Sequence, residues 1–331
     1  MDTWYGSVEI SPVISELLDT KELKRLGKIN QYGAIYQLYT QFKTTRLDHS
    51  IGVFALLQKL GASEEEQIAG LLHDISHTAF SHVIDYVFKY KLGESYHEYI
   101  AEAFLENSEV IECLKKDNID IEKVLKYEKG PSLLERDYPD LCADRLDYLL
   151  RDLEIFDVIT KEDIKNIINA LSVENNIITF KDLSMASFLS KKTIEANIKI
   201  WNSPYQIYLS KHLSDILSIA LSKKFIQEKD LLSTDNTLYE KLKNIEDSEI
   251  QVLFKNLTKE VVVTNNSDDY IMHVNTKARI IDPLVCEDGK CSRLSELDSD
   301  FVEQRNAFLE MHNKGYYLNV RKREEGENIK H

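Results

Sequence analysis

Nine histidines occur in the 331 residues, and five of them, His49, His73, His77, His82 and His97, fall within residues 49–97. An even spread would put roughly one there, so the cluster marks a candidate metal or proton-transfer site. His73 is followed at once by Asp74. An imidazole and a carboxylate at one helix end can ligate a cation together. Asp144 lies on the polar face of an otherwise leucine-rich segment, and a buried carboxylate must be paired, hydrogen-bonded or bound to a metal. His49, His73, Asp74 and Asp144 together offer two nitrogen and two oxygen ligands. Such a mixed set suits a divalent ion with positions left for water or phosphate. Taken singly, each has a plainer reading: His49 as a hydrogen-bonded core histidine, His73-Asp74 as a common dipeptide.

The elements that must position these groups read as helices. Apolar spacing predicts helices over 12–28, 46–60, 63–75, 81–90, 96–116 and 139–156. His49 shares the apolar face of its helix with Val53, Leu56 and Leu60. Ser63 with Glu66 reads as a capping box opening the helix that ends at His73. Asp144, Tyr148 and Asp152 recur every four residues and so stack on one face. Residues 30–42 read as a loop or strand, and Gly130-Pro131 as a break. The segment 161–182 predicts a helix and a short strand at 177–180, followed by long helices over 184–228 and 236–256. Short strands are predicted at 260–264, 270–274 and 278–281, and a last helix at 298–313.

The composition agrees with a folded, mainly α protein. Hydrophobic residues make up 43%, and Gly plus Pro total 16 of 331, too few for the frequent turns of an all-β chain. The expected organisation is a helical core with the metal site over 1–160, a helical and α+β portion completing the pocket over 161–320, and a charged mobile tail over 321–331. No apolar run approaches the roughly 18 residues of a membrane span, and MDTWYGSVEI reads as no signal peptide. The four cysteines show no CxxC spacing. Cys286 and Cys291 could form a redox or metal pair; two ordinary thiols beside a turn is the plainer reading, and a reducing cytoplasm is expected. The net charge of −15 argues against extensive duplex nucleic-acid binding, while leaving room for a local basic pocket.

RLDHS (46–50), HDISHTAFSH (73–82), YHE (96–98) and ADRLDYLLRD (143–152) resemble the HD-domain phosphohydrolase superfamily, and within it the deoxynucleoside-triphosphate triphosphohydrolase group. The opening stretch YGSVEISPVISELLDTKELKRLGKINQYG (5–33), and KARIIDPLV (277–285) with LSELDSDF (294–301), resemble the same group. The resemblance implies an HD-domain helical core and one divalent metal ion (Mn²⁺, Fe²⁺, Mg²⁺, Co²⁺, Ni²⁺ or Zn²⁺) on His49, His73, Asp74 and Asp144. It implies hydrolysis of a dNTP to deoxynucleoside and triphosphate by water attack at the α-phosphate. His97 matches the general acid of that group, Asp85 the carboxylate that orients it, and Glu98 its neighbour. His77, His82 and Arg46 match phosphate contacts; Arg145, Tyr148 and Asp152 match positions lining triphosphate and sugar; Gln31 matches a residue near the sugar. NSPYQIYLSKH (202–212) resembles a segment near base and phosphates, which brings in Tyr205, Tyr208 and Lys211. A homo-oligomer, a dimer or higher, is also implied.

Three departures stand out. Ser76 and Ala79 replace the Gly and Pro of the usual HDxGHxPFSH pattern. Arg25-Leu26-Gly27 lacks the second arginine that some members use for a regulatory nucleotide, so allosteric activation is not carried over. Other substrates remain compatible with the same site: nucleoside mono- or diphosphates, or short oligonucleotides. A non-catalytic nucleotide-binding subunit would predict a damaged ligand set, and all four positions are intact.

Overall fold

A computed structural model of the chain describes residues 1–92 and 95–324. Among them are seventeen α-helices and nine short strands, so the protein is mainly α, with its strands concentrated after residue 170. β1 (Asp2–Thr3) and β2 (Gly6–Ser7) pair antiparallel at the start, and the rest of the first half is a succession of helices. α1 (Pro12–Asp19) and α2 (Lys21–Leu26) replace the single helix expected over 12–28, because extended Thr20 ends one and caps the other. Residues 30–42 form a loop with one short 3₁₀ turn. α3 (Arg46–Lys59) opens with a reciprocal capping box between Thr45 and Asp48.

In α4 (Glu64–Leu72), Ser63 caps the Glu66 N–H as expected, but the box is not reciprocal. The Glu66 carboxylate turns instead to the backbone N–H groups of Leu133 and Leu134, which would otherwise be buried without acceptors. α5 (Val83–Leu92) follows the histidine loop. The expected helix over 96–116 is two, α6 (Tyr96–Leu105) and α7 (Glu109–Lys116), because Ser108 caps a new start. α8 (Ile121–Lys129) has no counterpart among the expected helices. α9 (Ala143–Ile155) carries Asp144 in its first turn.

Beyond α10 (Lys161–Ala170), strands β3 (Leu171–Glu174) and β4 (Ile177–Phe180) form a hairpin. The long helix expected over 184–228 is broken: α11 (Leu183–Ala196) runs into a π-turn at Asn197–Trp201, and α12 (Pro204–Ser222) restarts with Pro204 at its first position. α13 (Glu228–Leu231), α14 (Asp235–Lys243) and α15 (Ser248–Asn256) follow, the last two dividing the helix expected over 236–256 at the Asp247 cap. β5 (Val261–Asn265) and β6 (Met272–Val274) match expected strands. Residues 278–281 are not a strand: the side chain of Asn197, not a neighbouring strand, takes both backbone groups of Arg279.

β7 (Leu284–Glu287) and β8 (Lys290–Arg293) form a hairpin whose register sets Cys286 opposite Cys291. The two are joined in a disulfide, which corrects the reading of two separate thiols: antiparallel pairing, not sequence spacing, brings them together. α16 (Leu294–Leu297) and α17 (Ser299–His312) lead to β9 (Tyr316–Lys322), which lies between β5 and β6. Arg321 and Lys322 of the expected tail thus close a strand; its residues 325–331 lie outside the described residues. The larger apolar core draws on residues from Val8 to Phe308 and so crosses residue 160. A second core gathers α5, α12, α14 and the β5–β9–β6 sheet. No helix among the described residues is long and apolar enough to cross a membrane.

Candidate active site

α3, the end of α4 and the start of α9 bring the four expected ligands together. His49 Nε2 lies 2.9 Å from Asp144 Oδ1 and 3.2 Å from His73 Nε2. Asp74 reaches the same point, with its oxygens 3.6 Å from His73 Nε2 and 3.8 Å from His49 Nε2. The other nitrogen of each ring is already engaged: His49 Nδ1 donates to Asp147 Oδ2 at 2.7 Å, and His73 Nδ1 to the Gly70 carbonyl at 2.8 Å. These bonds fix the tautomers and turn both bare Nε2 atoms inward. Two bare imine nitrogens 3.2 Å apart cannot bond each other without a shared positive charge. The residues therefore fit a divalent cation.

The electrostatics carry the same demand. Burial pushes His73 down, but Asp74 and Asp144 overcome it and hold the imidazole at about 10. Burial would raise Asp74, yet Arg46, His77 and His73 hold it well below the usual carboxylate range. Asp144 is likewise lowered, against burial, by His49 and His73. The pocket attracts positive charge at every ligand.

Beside it, His77, His82 and His97 form a second group whose ring nitrogens lie within 4.8 Å of one another. His77 and His97 stack at 3.8 Å between centroids, and His82 meets His77 edge-on at 4.9 Å. His77 Nε2 is 3.2 Å from Asp74 Oδ1. Asp85 does not pair with His97. Its Oδ2 accepts from His82 Nδ1 at 2.9 Å, and its Oδ1 accepts the Tyr96 N–H at 2.9 Å. Burial, with the charges of His82 and Arg46, outweighs Asp74 and lowers His97 to about 4. Glu98 is exposed, and its carboxylate accepts from the Ser95 hydroxyl.

The loop that presents these histidines is strained and tied. Phe80 and Ser81 both have positive φ, conformations that side chains rarely adopt unless surroundings impose them. The buried Asp235 carboxylate imposes them here by accepting from the Phe80 and Asn30 N–H groups at 2.8 Å each. Arg25 donates to the carbonyls of Ile75 and His77. Both departures from the usual loop pattern add a bond: Ser76 Oγ donates to the His97 carbonyl, and the Ala79 N–H, which proline would lack, donates to Leu231.

The expected substrate contacts divide. Arg46 is buried at the site, with Nη1 on Asp74 Oδ2 at 2.7 Å and Nε on Ser81. Tyr148 bonds Tyr138 through their hydroxyls and meets Trp201 edge-on. Asp152 accepts from Trp201 Nε1 at 2.6 Å, and burial pushes its carboxyl up to about 6. Gln31 presents a buried side-chain oxygen without a hydrogen-bond partner, and Tyr205 bonds the Thr258 carbonyl. Arg145 turns to the 136–140 loop, donating to the Arg136 and Asp140 carbonyls and lying over Tyr138. Lys211 pairs with Asp215 on its own helix, and Tyr208 is buried in the second core against His212; among the described residues nothing joins these two to the histidines.

Asp147, Trp201, Asp235 and Asn197 were not expected from the sequence. Asp147 had a usable signal, a second carboxylate three residues after Asp144 on the same helix. The spacing of three between His82 and Asp85 at a helix start was another. Trp201, Asp235 and Asn197 act across long separations and left no local signal.

The HD domain family matches residues 46–169. The chain is 33% identical to YdhJ of Bacillus subtilis (strain 168) over 321 residues, 97% of this chain and 98% of that one. It is 35% identical to the metal-dependent phosphohydrolase cns2 of Cordyceps militaris over 238 residues, 70% of this chain and 68% of that one. Human deoxynucleoside triphosphate triphosphohydrolase SAMHD1 is 33% identical over 99 residues, 25% of this chain and 16% of that protein. The chain belongs to the HD-domain metal-dependent phosphohydrolases.

Proposed function

We propose that the protein hydrolyses a nucleoside phosphate, with a dNTP cleaved to deoxynucleoside and triphosphate as the leading substrate. The observation that carries this is the junction of two groups: the His49, His73, Asp74 and Asp144 ligands, and the three imidazoles alongside. A divalent cation held by those four residues supplies Lewis acidity at the phosphoryl group. Arg46, which reaches the same carboxylate Asp74 as His77, counters phosphate charge, while His77, held neutral by burial and by the charge of Arg46, offers a hydrogen bond. Water adds to the α-phosphorus and gives up one proton to solvent, the bond to O5′ breaks, and O5′ leaves with the electron pair and takes a proton. In this reading the proton comes from His82, which Asp85 braces in the manner of a positioned acid, and His97 walls the site through its stack on His77. Tyr148 and Asp152 face the sugar.

A second reading is a nucleoside monophosphatase. One observation favours it: Arg145 and Lys211, cations expected to counter the charge of a triphosphate, are both paired elsewhere. Product analysis separates the two. Protein loaded with Mn²⁺, Fe²⁺, Mg²⁺ or Co²⁺ is incubated with each dNTP, NTP and NMP, and products are resolved by ion exchange. Intact triphosphate supports the first reading. Inertness toward triphosphates with turnover of monophosphates supports the second. A homo-oligomeric state and a cytoplasmic location belong to the same proposal. Sedimentation tests the first; thiol trapping of Cys286 and Cys291 in cells tests the second, since the disulfide of the structure counts against a reducing compartment, which would keep the pair as dithiols.

A further inference from the structure

Arg279 is a cation that neither the ligand set nor the proton-transfer group uses. It lies in the extended connection between β6 and β7, and both of its backbone groups are pinned. The fully buried Asn197 side chain donates to the Arg279 carbonyl at 2.6 Å and accepts its N–H at 2.9 Å. Asn197 opens the π-turn that ends in Trp201, and such turns are frequent at functional sites. The same strap is held on either side, by His312 at the Thr276 carbonyl and by the Pro139 carbonyl at the Asp282 N–H.

The side chain lies beside Trp201 and is not neutralised. Its guanidinium lies 5.7 Å from the centre of the Trp201 ring, and Trp201 bonds Asp152. Its charge reaches the Tyr86 and Tyr148 hydroxyls, opposing the burial that raises both. Tyr86 follows Asp85 on α5, and Tyr148 lies one turn beyond Asp144 on α9. Arg279 therefore stands between the helix of the proton-transfer group and the helix of the metal ligand. Among the described residues its guanidinium has no hydrogen bond and no ion pair, in a chain with 56 acidic residues against 41 basic ones.

We infer that Arg279 is a phosphate-binding residue of this site, contributed by the C-terminal portion in place of the internally paired Arg145 and Lys211. A guanidinium fork matches two phosphate oxygens, and the neighbouring phenol hydroxyls add donors for the same group. The inference rests on the proposal that the substrate is a nucleoside phosphate.

The test is calorimetric titration of the Mn²⁺-loaded full chain with inorganic triphosphate and with inorganic phosphate, for wild type, Arg279→Gln and Arg279→Lys. Bound metal and thermal midpoint are measured in parallel. The expected result is a loss of triphosphate affinity of roughly tenfold or more in Arg279→Gln, partial recovery in Arg279→Lys, and unchanged metal content. KM for the substrate rises in step, with kcat less affected. Equal affinity in wild type and Arg279→Gln overturns the inference and leaves the substrate proposal standing. If wild type binds phosphate but not triphosphate, and Arg279→Gln weakens that binding, the inference holds and the triphosphate reading fails. Binding of neither anion by wild type overturns both.

Discussion

Asp147 Oδ2 accepts a 2.7 Å hydrogen bond from His49 Nδ1 while its other oxygen presses on the backbone of Gly52, where a Cβ would stand 1.9 Å away. The glycine, one turn beyond His49 on α3, is thus what lets the carboxylate reach the ligand. Arg151 completes the arrangement, donating to the same Oδ2 at 2.7 Å, so that one oxygen of a fully buried carboxylate takes both bonds while the other lies against Gly52. Gly52→Ala is expected to displace Asp147, and Asp147→Asn to remove the charge that braces the imidazole. Each should weaken metal affinity by roughly 10- to 100-fold, read by competition with a chromogenic chelator. Unchanged affinity in both variants would refute the coupling.

Proton donation distinguishes the three imidazoles. His82→Gln and Asp85→Asn are each expected to lower kcat by roughly 10²- to 10⁴-fold with metal content intact. His97→Gln should act more through KM. A collapse of kcat confined to His97→Gln, with Asp85→Asn near wild type, would return the acid role to His97.

The two loop departures make a stability prediction. Ser76→Gly removes the bond to the His97 carbonyl, and Ala79→Pro removes the N–H that meets Leu231. The proline leaves the buried Leu231 carbonyl without that donor, at a cost of about 1–3 kcal/mol, whereas the His97 carbonyl keeps its place in the α6 ladder and the glycine costs about 0.5–1.5 kcal/mol. Urea unfolding midpoints test this, and variants as stable as wild type would show that the loop takes its shape without those bonds.

Asp235 makes stability depend on pH. Burial raises its carboxyl to about 6 despite the N–H groups of Phe80 and Asn30. A folded pKa above the unfolded value of roughly 3.9 means that folding favours the protonated form. Its contribution is fully present below about pH 4, falls as pH rises, and is lost above about pH 6. The stability of wild type relative to Asp235→Asn should therefore fall across that window and be flat on either side. A difference independent of pH would contradict the shift.

Much of this protein is written locally. The low Gly and Pro count points to the helical class. The order His49, His73-Asp74, Asp144 names the ligand set, because each sits at a helix start or end whose caps and apolar stripes lie within a few residues. Helix boundaries are less legible. Thr20, Ser108 and Asp247 each restart a helix inside a run of continuous helical spacing, since a capping side chain can satisfy the freed N–H groups at little cost.

Residue order and helical spacing thus point to the kind of chemistry: a helical scaffold bringing together two imidazoles and two carboxylates that fit a cation, with three more imidazoles nearby. Packing between distant segments settles which partner each charged group takes. Asp85 goes to His82, Arg145 to the 136–140 loop, and Asp147 to His49 through the gap at Gly52. Strand register joins Cys286 to Cys291, and Asn197 holds Arg279 beside Trp201 from 82 residues away. Residue type and helical spacing act over a few ångströms along the chain, whereas the partner of a buried charge is set by whatever other segments pack within hydrogen-bond distance of it.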